Sequence, residues 1–305
     1  MLQAEYPNDD KFEYKLYGAA AARSKAMCHL ATNKAPAVAR RRVANKTLVI
    51  TLGNLRGGEQ AWQSLYEHVL DVNCANLAIT ISNGELQVTN SSMVQRAHYV
   101  WTHDEYTDWG TALDEIGGDG GWRRIALKNK GTGLLGGTQE DPGGSGAVIF
   151  WLRWFVLKQI RHLKLDEAYD RFIVTRTDHY YGCAHDISDF DPHSVWIPLV
   201  EENGGYTDRH IVASKSNVLK ALDIVPPLIL DPGKYEGFEG NPERLIKLRL
   251  EEESIQVQRF PRMMFTCAVP GDPTRWRMMS KLVAEGVHLK YEEEYYETKR
   301  VCSLI

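Results

Sequence analysis

Residues 171–181 join an apolar run to a cluster of charged and aromatic side chains. Phe, Ile and Val at positions 172–174 favour a buried strand, and Arg176 and Asp178 follow directly. Ligands of open α/β sheets bind just outside the carboxyl ends of the strands. A guanidinium and a nearby carboxylate at such an end suit a phosphorylated ligand held through a metal. This stretch therefore predicts an α/β fold with a charged site at one edge of its sheet.

Chain length and charge exclude several classes of protein. The chain has 305 residues, 43% of them hydrophobic, which is enough for one large or two ordinary domains. Its net charge of −4 gives no electrostatic reason to expect a nucleic acid as partner. The most apolar stretch, residues 146–157, contains Arg153 and is shorter than the ~20 residues of a membrane-spanning helix. We therefore expect no nucleic-acid partner and no transmembrane segment.

The five cysteines are widely scattered and form no CxxC pair. This spacing predicts neither a zinc cluster nor a disulfide framework. It favours a reduced, cytoplasmic setting, because stable disulfides belong mostly to oxidising compartments. Cys302 opens a Cys-Ser-Leu-Ile sequence with the outline of a prenylation box, but the terminal Ile is atypical and lipidation is the less favoured interpretation.

The chain divides into an N-terminal extension, residues 1–45, and a domain, residues 46–305. The domain opens in the order strand, loop, helix, strand, which predicts parallel strands with a right-handed crossover. The apolar pattern places these elements at residues 47–52, 53–58, 59–70 and 76–81. The predicted fold class is α/β: a mixed, mostly parallel central sheet flanked by helices, with a Rossmann-like nucleotide-binding half.

Later elements are predicted from composition and helix caps. Asn83-Gly84 is a turn dipeptide, and the glycine-rich residues 117–146 predict a long loop of the kind that is usually functional. The strongly apolar residues 145–163 predict a helix. Residues 208–222 predict another helix, because apolar side chains recur at helical spacing after a capping residue.

Two segments are candidates for binding a nucleotide. In the loop at residues 53–58, Asn54 or Arg56 could reach a base or a diphosphate, although a tight turn explains the glycines equally well. The helix that begins near Ser145 offers free N–H groups and the positive end of its dipole to an anion. Arg153, inside that apolar helix, needs either a buried carboxylate or a bound phosphate as partner.

Asp178 is the candidate metal ligand, since magnesium and manganese bind one or two carboxylates together with phosphate oxygens. We expect the change Asp178→Ala to abolish metal-assisted binding and to leave the fold intact. The sequence Asp189-Phe-Asp191 also spells a DxD motif, but it precedes a proline and reads as a surface turn, so turn chemistry is favoured there.

Residues 201–210 form a second dense polar segment. Gly204 and Gly205 would let the backbone approach a ligand closely. Asp208 is either the N-cap of the following helix or a general base that deprotonates an acceptor hydroxyl, and the sequence favours neither interpretation.

Taken in order, these segments resemble a known group of enzymes. The sequences GNLRGGEQAW, GSGA, FIVTRTDHYY, WIP and GGYTDRH resemble GT-A-type glycosyltransferases of chloroviruses and their algal hosts, over roughly residues 45–280. The resemblance implies transfer from a nucleotide-sugar donor to a glycan or glycoprotein acceptor, assisted by manganese or magnesium, in the host cytoplasm if the protein is viral. UDP-xylose is the donor that the analogy favours. Arg176-Thr-Asp178 stands where such enzymes carry a DxD motif.

The resemblance also implies a role for each part of the chain. The nucleotide-binding half is about residues 46–182 and the acceptor half about residues 183–305. Asp208 matches the place of the catalytic base of an inverting transfer, and Asp178 that of the metal ligand. The residues expected to bind the donor are Gly53, Asn54, Arg56, Ser145, Arg153, Arg176 and Asp178. Those expected to bind the acceptor are Tyr181, Glu201, Tyr206, Arg209 and His210.

Two other functions remain open. A metal-dependent phosphoesterase or nucleotidyltransferase would need carboxylates or histidines that converge on two ions ~4 Å apart. A non-catalytic carbohydrate-binding protein would keep the aromatic side chains that stack on sugars but would lack turnover.

Overall fold

The computed structural model describes residues 14–16, 46–88, 90–199, 203–272 and 281–304. The strands in these ranges are β1 (Tyr14–Leu16), β2 (Thr47–Leu52), β3 (Asn76–Ser82), β4 (Tyr99–His103), β5 (Arg171–Arg176), β6 (His179–Tyr181), β7 (Ser194–Pro198), β8 (Ile211–Ser214), β9 (Gln256–Phe260), β10 (Met264–Ala268), β11 (Val283–Ala284) and β12 (Val287–Leu289). Eight strands form the main sheet in the order β1-β4-β3-β2-β5-β8-β7-β9, and a small sheet has the order β11-β12-β10-β6.

Helices cover both faces of the main sheet. Those in the described ranges are α1 (Gly58–Leu65), α2 (Asn83–Val88), α3 (Ser92–Arg96), α4 (Trp109–Asp114), α5 (Trp122–Lys128), α6 (Gly146–His162), α7 (Leu165–Ala168), α8 (Val218–Leu222), α9 (Pro226–Leu230), α10 (Pro242–Glu252) and α11 (Glu292–Cys302). A π-helical turn, Tyr66–Leu70, continues α1, and a 3₁₀ turn, Pro232–Tyr235, follows α9. Within the described part of the chain, no helix has the length and apolar character needed to cross a bilayer.

The main sheet is mixed and mostly parallel, as predicted. Strands β4, β3, β2 and β5 run parallel, whereas β8 pairs antiparallel with both β5 and β7. This α/β arrangement, with helices on both faces, is consistent with a Rossmann-like fold. The predicted N-terminal extension lies outside the described residues except for β1, whose backbone pairs antiparallel with β4.

Both faces of the sheet are buried in apolar cores. Successive side chains of a strand point to opposite faces. In β2, Leu48 and Ile50 therefore enter the core beneath α6, whereas Val49 enters the core beneath α1. Because water is excluded from both faces, these strands have nearly continuous apolar sequences. The charged side chains of the pocket lie beyond the ends of these strands.

Three predicted elements are wrong. Residues 208–222 form strand β8 and then helix α8, because the β-branched Ile211 and Val212 pair with β5 in the middle of the sheet. Asn83 and Gly84 begin α2 and do not form a turn. The glycine-rich residues 117–146 contain α5, whose buried residues Trp122, Ile125 and Ala126 recur at helical spacing.

A disulfide joins Cys183, which follows β6, to Cys302 at the end of α11. The expectation that the cysteines form no disulfide is therefore wrong. The two cysteines are 119 residues apart in sequence, so their spacing could not reveal that the fold brings them together. The bond also occupies the thiol of the prenylation box. Disulfides are more common in oxidising compartments, so this bond does not favour the expected cytoplasmic setting. That setting stays a prediction.

Removal of the disulfide is expected to loosen the C-terminal helix. The double variant Cys183→Ser with Cys302→Ser should lose about 2–4 kcal/mol of unfolding free energy, because the open chain regains the entropy of a long loop. Denaturant unfolding measures the loss, and mass mapping of non-reduced peptides checks the pairing. Free thiols at both positions, together with unchanged stability, would contradict this expectation.

Candidate functional site

A pocket of about 310 Å³ opens where the parallel strands of the main sheet end. Its walls are the loop after β2, the first turns of α6, the segment after β5, the residue Asp208 before β8, and Lys290 after β12. Seven residues that the sequence predicts for the site line this pocket: Gly53, Asn54, Arg56, Ser145, Arg176, Asp178 and Asp208.

Strand register brings these segments together. Leu52 at the end of β2 pairs with Arg176 at the end of β5, so both chains leave the sheet at the same edge. Strand β8 runs antiparallel to β5, with Ile211 opposite Val174, so the residues before β8 lie at that edge as well. Asp208 therefore reaches the pocket from the start of a strand. The prediction that it caps a helix is wrong.

The loop after β2 packs directly on the segment after β5. Gly57 has a φ of +85°, and a Cβ on it would lie 3.0 Å from the Cα of Asp178. The hydroxyl of Thr177 donates to the carbonyl of Asn54 at 2.7 Å and accepts from the N–H of Arg56 at 3.3 Å. A glycine is needed at this close approach, which holds Asn54 and Arg56 beside Asp178.

Arg176 and Asp178 form a bidentate ion pair in the pocket wall. Arg176 donates from Nε to Oδ1 at 2.7 Å and from Nη2 to Oδ2 at 2.6 Å. Burial alone would raise the pKa of Asp178, but the guanidinium charge outweighs burial and holds the pKa well below its usual range. Burial likewise opposes the charged form of Arg176, and the carboxylate still raises its pKa. Both side chains therefore stay ionised at neutral pH.

The carboxylates near the pocket do not form a preformed binding site for a divalent metal ion. Both oxygens of Asp178 accept from Arg176, so an ion bound there would share the carboxylate with a positively charged guanidinium that repels it. One oxygen of Asp272 accepts from the backbone N–H groups of Gly57 and Val269, at 2.8 and 3.0 Å. Across the described ranges, no group of three or more His, Cys, Asp or Glu side chains could hold an ion. The metal role of Asp178 stays a prediction.

The DxD sequence behaves as a turn. Asp189 is exposed. The carboxylate of Asp191 accepts from the N–H of His193 at 3.0 Å and from the hydroxyl of Ser194 at 3.1 Å. These are the local hydrogen bonds of turn chemistry. Neither aspartate lines the pocket.

Asp208 is the second carboxylate of the pocket. Its Oδ1 lies 3.9 Å from Nε of Arg209, and its charge also acts on Arg153 and Arg176. Its carbonyl accepts from Nη2 of Arg153 at 2.8 Å. The Nε and Nη1 atoms of Arg153 are buried and find no hydrogen-bond partner among the described residues. Burial lowers the pKa of Arg153 to about 10. Arg153 thus lies behind the pocket wall and holds the backbone of Asp208.

Lys290 is a pocket residue that no sequence motif marks. It follows β12, and its N–H donates to the carbonyl of Thr266 in β10 at 2.9 Å. Burial first, and then the charges of Arg209 and Arg176, lower the pKa of Lys290 to about 8. Its place in the site depends on the pairing of short strands far along the chain, which the local sequence does not reveal.

Glu294 connects the C-terminal helix α11 to the site. Its Oε1 accepts from Nη1 of Arg209 at 2.5 Å. Its Oε2 accepts from the N–H of Thr266 at 2.8 Å and lies 3.3 Å from Nη1 of Arg262. Burial would raise the pKa of Glu294, and the charges of Arg262 and Arg209 lower it instead. Arg209, predicted to bind an acceptor, is therefore held in place beside the pocket by Glu294.

Three other predicted acceptor residues, Tyr181, Tyr206 and His210, are not among the described residues that line the pocket. Tyr181 and His210 are each 0% exposed. Tyr206 lies beneath the guanidinium of Arg259, whose Cζ is 4.9 Å from the ring centre. Glu201 lies outside the described residues.

Gly205 is required for packing within the protein. A Cβ on Gly205 would lie 2.1 Å from the backbone carbonyl of Glu243 in α10. Packing against α10 therefore explains the glycine at position 205 more simply than close approach to a ligand does. The neighbouring N–H of Tyr206 donates to the same carbonyl at 2.9 Å.

A buried hydrogen-bond network lies behind the site. The hydroxyl of Thr175 lies 3.1 Å from Nδ1 of His179, 2.9 Å from the hydroxyl of Tyr181 and 3.1 Å from Nδ1 of His210. The Nε2 atoms of His210 and His185 are 3.3 Å apart. Burial lowers the pKa of His179 to about 3 and that of His185 to about 4, and it also lowers the pKa of His210. All three rings are therefore neutral near pH 7.

No family model and no curated protein matches the chain. The resemblance to glycosyltransferases therefore depends on the sequence segments alone, and the function has to be argued from the pocket.

The change Asp178→Ala is expected to destabilise the fold by about 3–5 kcal/mol, because it leaves the guanidinium of Arg176 buried without its partner. The expectation that this variant leaves the fold intact stays untested, and the buried ion pair now predicts a marked loss of stability. Denaturant unfolding measures the loss. Asp170→Ala is the matched control: it removes a surface ion pair with Lys215, whose side chains are 47% and 55% exposed, and it should cost less than about 1 kcal/mol. Equal losses in the two variants would sink this account.

The histidine network is expected to make the protein acid-sensitive. Each buried histidine has a folded-state pKa below its ordinary value near 6.5, so above that pH it is neutral in both states and does not affect stability. As the pH falls from about 6.5 toward 4, the unfolded chain binds protons that the folded chain does not. The free energy of unfolding should then fall by up to about 1.4 kcal/mol per pH unit for each histidine.

Urea unfolding at pH 7, 6 and 5 measures this dependence. The range from pH 7 to pH 5 reports on the histidines and not on the Arg176–Asp178 pair. Because the pKa of Asp178 is lowered, this ion pair loses its contribution to stability only at more acidic pH. A stability that stays constant between pH 7 and pH 5 would contradict neutral, buried histidines.

Proposed function

We propose that the protein is a glycosyltransferase of the GT-A type, which transfers a sugar from a nucleotide-sugar donor to a hydroxyl of a glycan. The observation that carries the proposal is the set of charged side chains that line the pocket. Arg56, Arg176 and Lys290 supply three cations, and Asp208 supplies a carboxylate apart from the Arg176–Asp178 pair. Cations suit the diphosphate of the donor, and a separate carboxylate suits the acceptor hydroxyl.

The remaining lining suits the other parts of a nucleotide sugar. Leu52, Val148 and Leu152 provide an apolar surface for a base or a sugar ring. Ser145 precedes the 17-residue helix α6, whose N-terminal N–H groups and dipole attract phosphate. The volume of about 310 Å³ lies at the small end of the range of ligand pockets, about 300–1,000 Å³. It therefore suits the diphosphate and one ring.

In this proposal Asp208 is the general base of an inverting transfer. Its carboxylate takes the proton of the acceptor hydroxyl while the acceptor oxygen forms a bond to the anomeric carbon. The bond between that carbon and the phosphate oxygen breaks, and the nucleoside diphosphate leaves with the electron pair. Arg176 and Lys290 stabilise the charge that develops on the leaving group. Attack from the opposite face inverts the anomeric configuration.

The two alternatives have less support. A metal-dependent phosphoesterase or nucleotidyltransferase needs a cluster of ligands for two ions, and within the described ranges His, Cys, Asp and Glu side chains form no such cluster. A carbohydrate-binding protein without activity needs no carboxylate poised in the pocket. Turnover of a nucleotide sugar distinguishes this last role from the proposal.

The change Asp208→Asn tests the proposed base. An amide keeps the size of the side chain but cannot take a proton, so turnover should fall by about 10²–10⁴ while donor affinity changes little. The assay is release of nucleoside diphosphate from a panel of nucleotide sugars, UDP-xylose first, with glycans or water as acceptor. Donor affinity comes from thermal shift, in which a ligand at 100 times its Kd adds about 2.7 kcal/mol of stability.

Asp189→Asn is the matched control, because Asp189 is exposed and lies outside the pocket lining. It should leave both turnover and donor affinity unchanged. Wild-type turnover in Asp208→Asn would remove Asp208 as the base. The absence of turnover of every nucleotide sugar by the wild type would remove the glycosyltransferase proposal itself.

A further inference from the structure

We propose that Lys290, together with Arg176, holds the diphosphate of the ligand and takes the place of a divalent cation. This inference rests on the proposed function, since it concerns the diphosphate of the same donor. It differs from what the resemblance implies, because GT-A enzymes of that kind bind the diphosphate through a metal ion.

The pocket carboxylate nearest the strand end is bound by a guanidinium. Arg176 donates to both oxygens of Asp178, at 2.7 and 2.6 Å, and its positive charge would repel a metal ion beside them. Ligands for magnesium or manganese must offer oxygen atoms directly to the ion. At this position the protein therefore presents a guanidinium to the pocket where a metal-binding enzyme would present carboxylate oxygens.

Other acidic side chains near the site also have partners. Glu294 binds Arg209 through Oε1 and the N–H of Thr266 through Oε2, at 2.5 and 2.8 Å. Glu85 accepts from the N–H of Leu55 at 3.1 Å. Asp208 remains, and one carboxylate gives a divalent ion a single protein ligand. No group of three candidate ligands exists anywhere in the described ranges.

The charged side chains that line the pocket carry a net positive charge. Three cations and two carboxylates line it, which leaves a net charge of +1 before any ion binds. Because the side chains of Arg176 and Asp178 are only 18% and 2% exposed, their charges are poorly screened by water. An anion in the pocket is attracted without the help of a metal.

Lys290 is suited to supply the charge that the ion pair lacks. Asp178 neutralises much of the charge of Arg176, whereas the strongest charged neighbours of Lys290 are the cations Arg209 and Arg176. Burial, and after it the like charges of Arg209 and Arg176, lower the pKa of Lys290 to about 8, so its ammonium is unfavourable there until an anion enters. Among the described residues, the charged groups that act on Lys290 include Arg209, Arg176, Asp178 and Glu294, and its Nζ lies 4.9 Å from the ring centre of Tyr291.

Loss of the Lys290 ammonium should therefore weaken diphosphate binding. A charge-assisted hydrogen bond of this kind corresponds to a loss of affinity of about 10–100-fold. Lys290→Arg keeps a cation and should retain most of the affinity. Lys290→Met and Lys290→Gln remove it, and the second variant keeps a polar side chain in case Met disturbs folding. Lys130→Met, at an exposed lysine outside the pocket lining, is the matched control.

The experiment uses the full chain and two probes, UDP and inorganic pyrophosphate. Thermal shift and calorimetry give their Kd values with excess EDTA and with added manganese or magnesium. A circular dichroism melt confirms that each variant is folded. The expected result is that the wild type binds both probes in EDTA, that the neutral variants bind 10–100-fold more weakly, and that Lys290→Arg and Lys130→Met bind nearly as the wild type does.

Binding of UDP by the wild type only when a metal is present, with Lys290→Met unaffected, would overturn this inference and leave the proposed function standing. Binding in EDTA that is equally strong in Lys290→Gln and in the wild type would also overturn it, since the charge would then come from elsewhere. Failure of the wild type to bind either probe, with or without a metal, would overturn the proposed function together with this inference.

Discussion

The ion pair between Arg176 and Asp178 is the interaction on which the site depends. It lies at the end of β5, where the parallel part of the sheet meets an antiparallel strand. Either charge alone would be costly to bury, whereas the two-bond geometry holds both side chains and fixes the chain after β5. Two other segments pack on that chain. Gly57 approaches the Cα of Asp178, and the N–H of Cys267 donates to the carbonyl of Asp178 at 2.9 Å.

The same ion pair distinguishes the two carboxylates of the pocket, Asp178 and Asp208. Both oxygens of Asp178 accept from Arg176, so this carboxylate orients the guanidinium. Asp208 lies at the same edge of the sheet, with its Oδ1 3.9 Å from Nε of Arg209, and is the base of the proposed transfer. Under that proposal, different surroundings give two chemically identical groups different roles.

Much of the fold follows from local sequence, whereas the rest depends on contacts between distant residues. The strand at 47–52 and the helix at 145–163 are predicted because their apolar runs are long and unbroken. Residues 208–222 are predicted wrongly, because Ile211 and Val212 fit a helix period by chance and are held in a strand by β5. Of the seven predicted site residues that line the pocket, six lie in glycine-rich loops or next to elements that were predicted, whereas Asp208 precedes the strand that was predicted as a helix. Lys290 lies beside a three-residue strand, where periodicity carries no signal.

The C-terminal part of the chain completes the site, although its sequence resembles nothing catalytic. The backbone of Lys290 is bound to Thr266 in β10, and Glu294, one helical turn later, holds Arg209 beside Asp208. The disulfide at Cys302 anchors the far end of the same helix. A helix whose first turn is acidic and whose last turn is basic is stabilised by its own dipole. Stability alone therefore explains the charge pattern of this helix. Its contribution to the pocket is seen only in the structure, where Glu294 holds Arg209 in place.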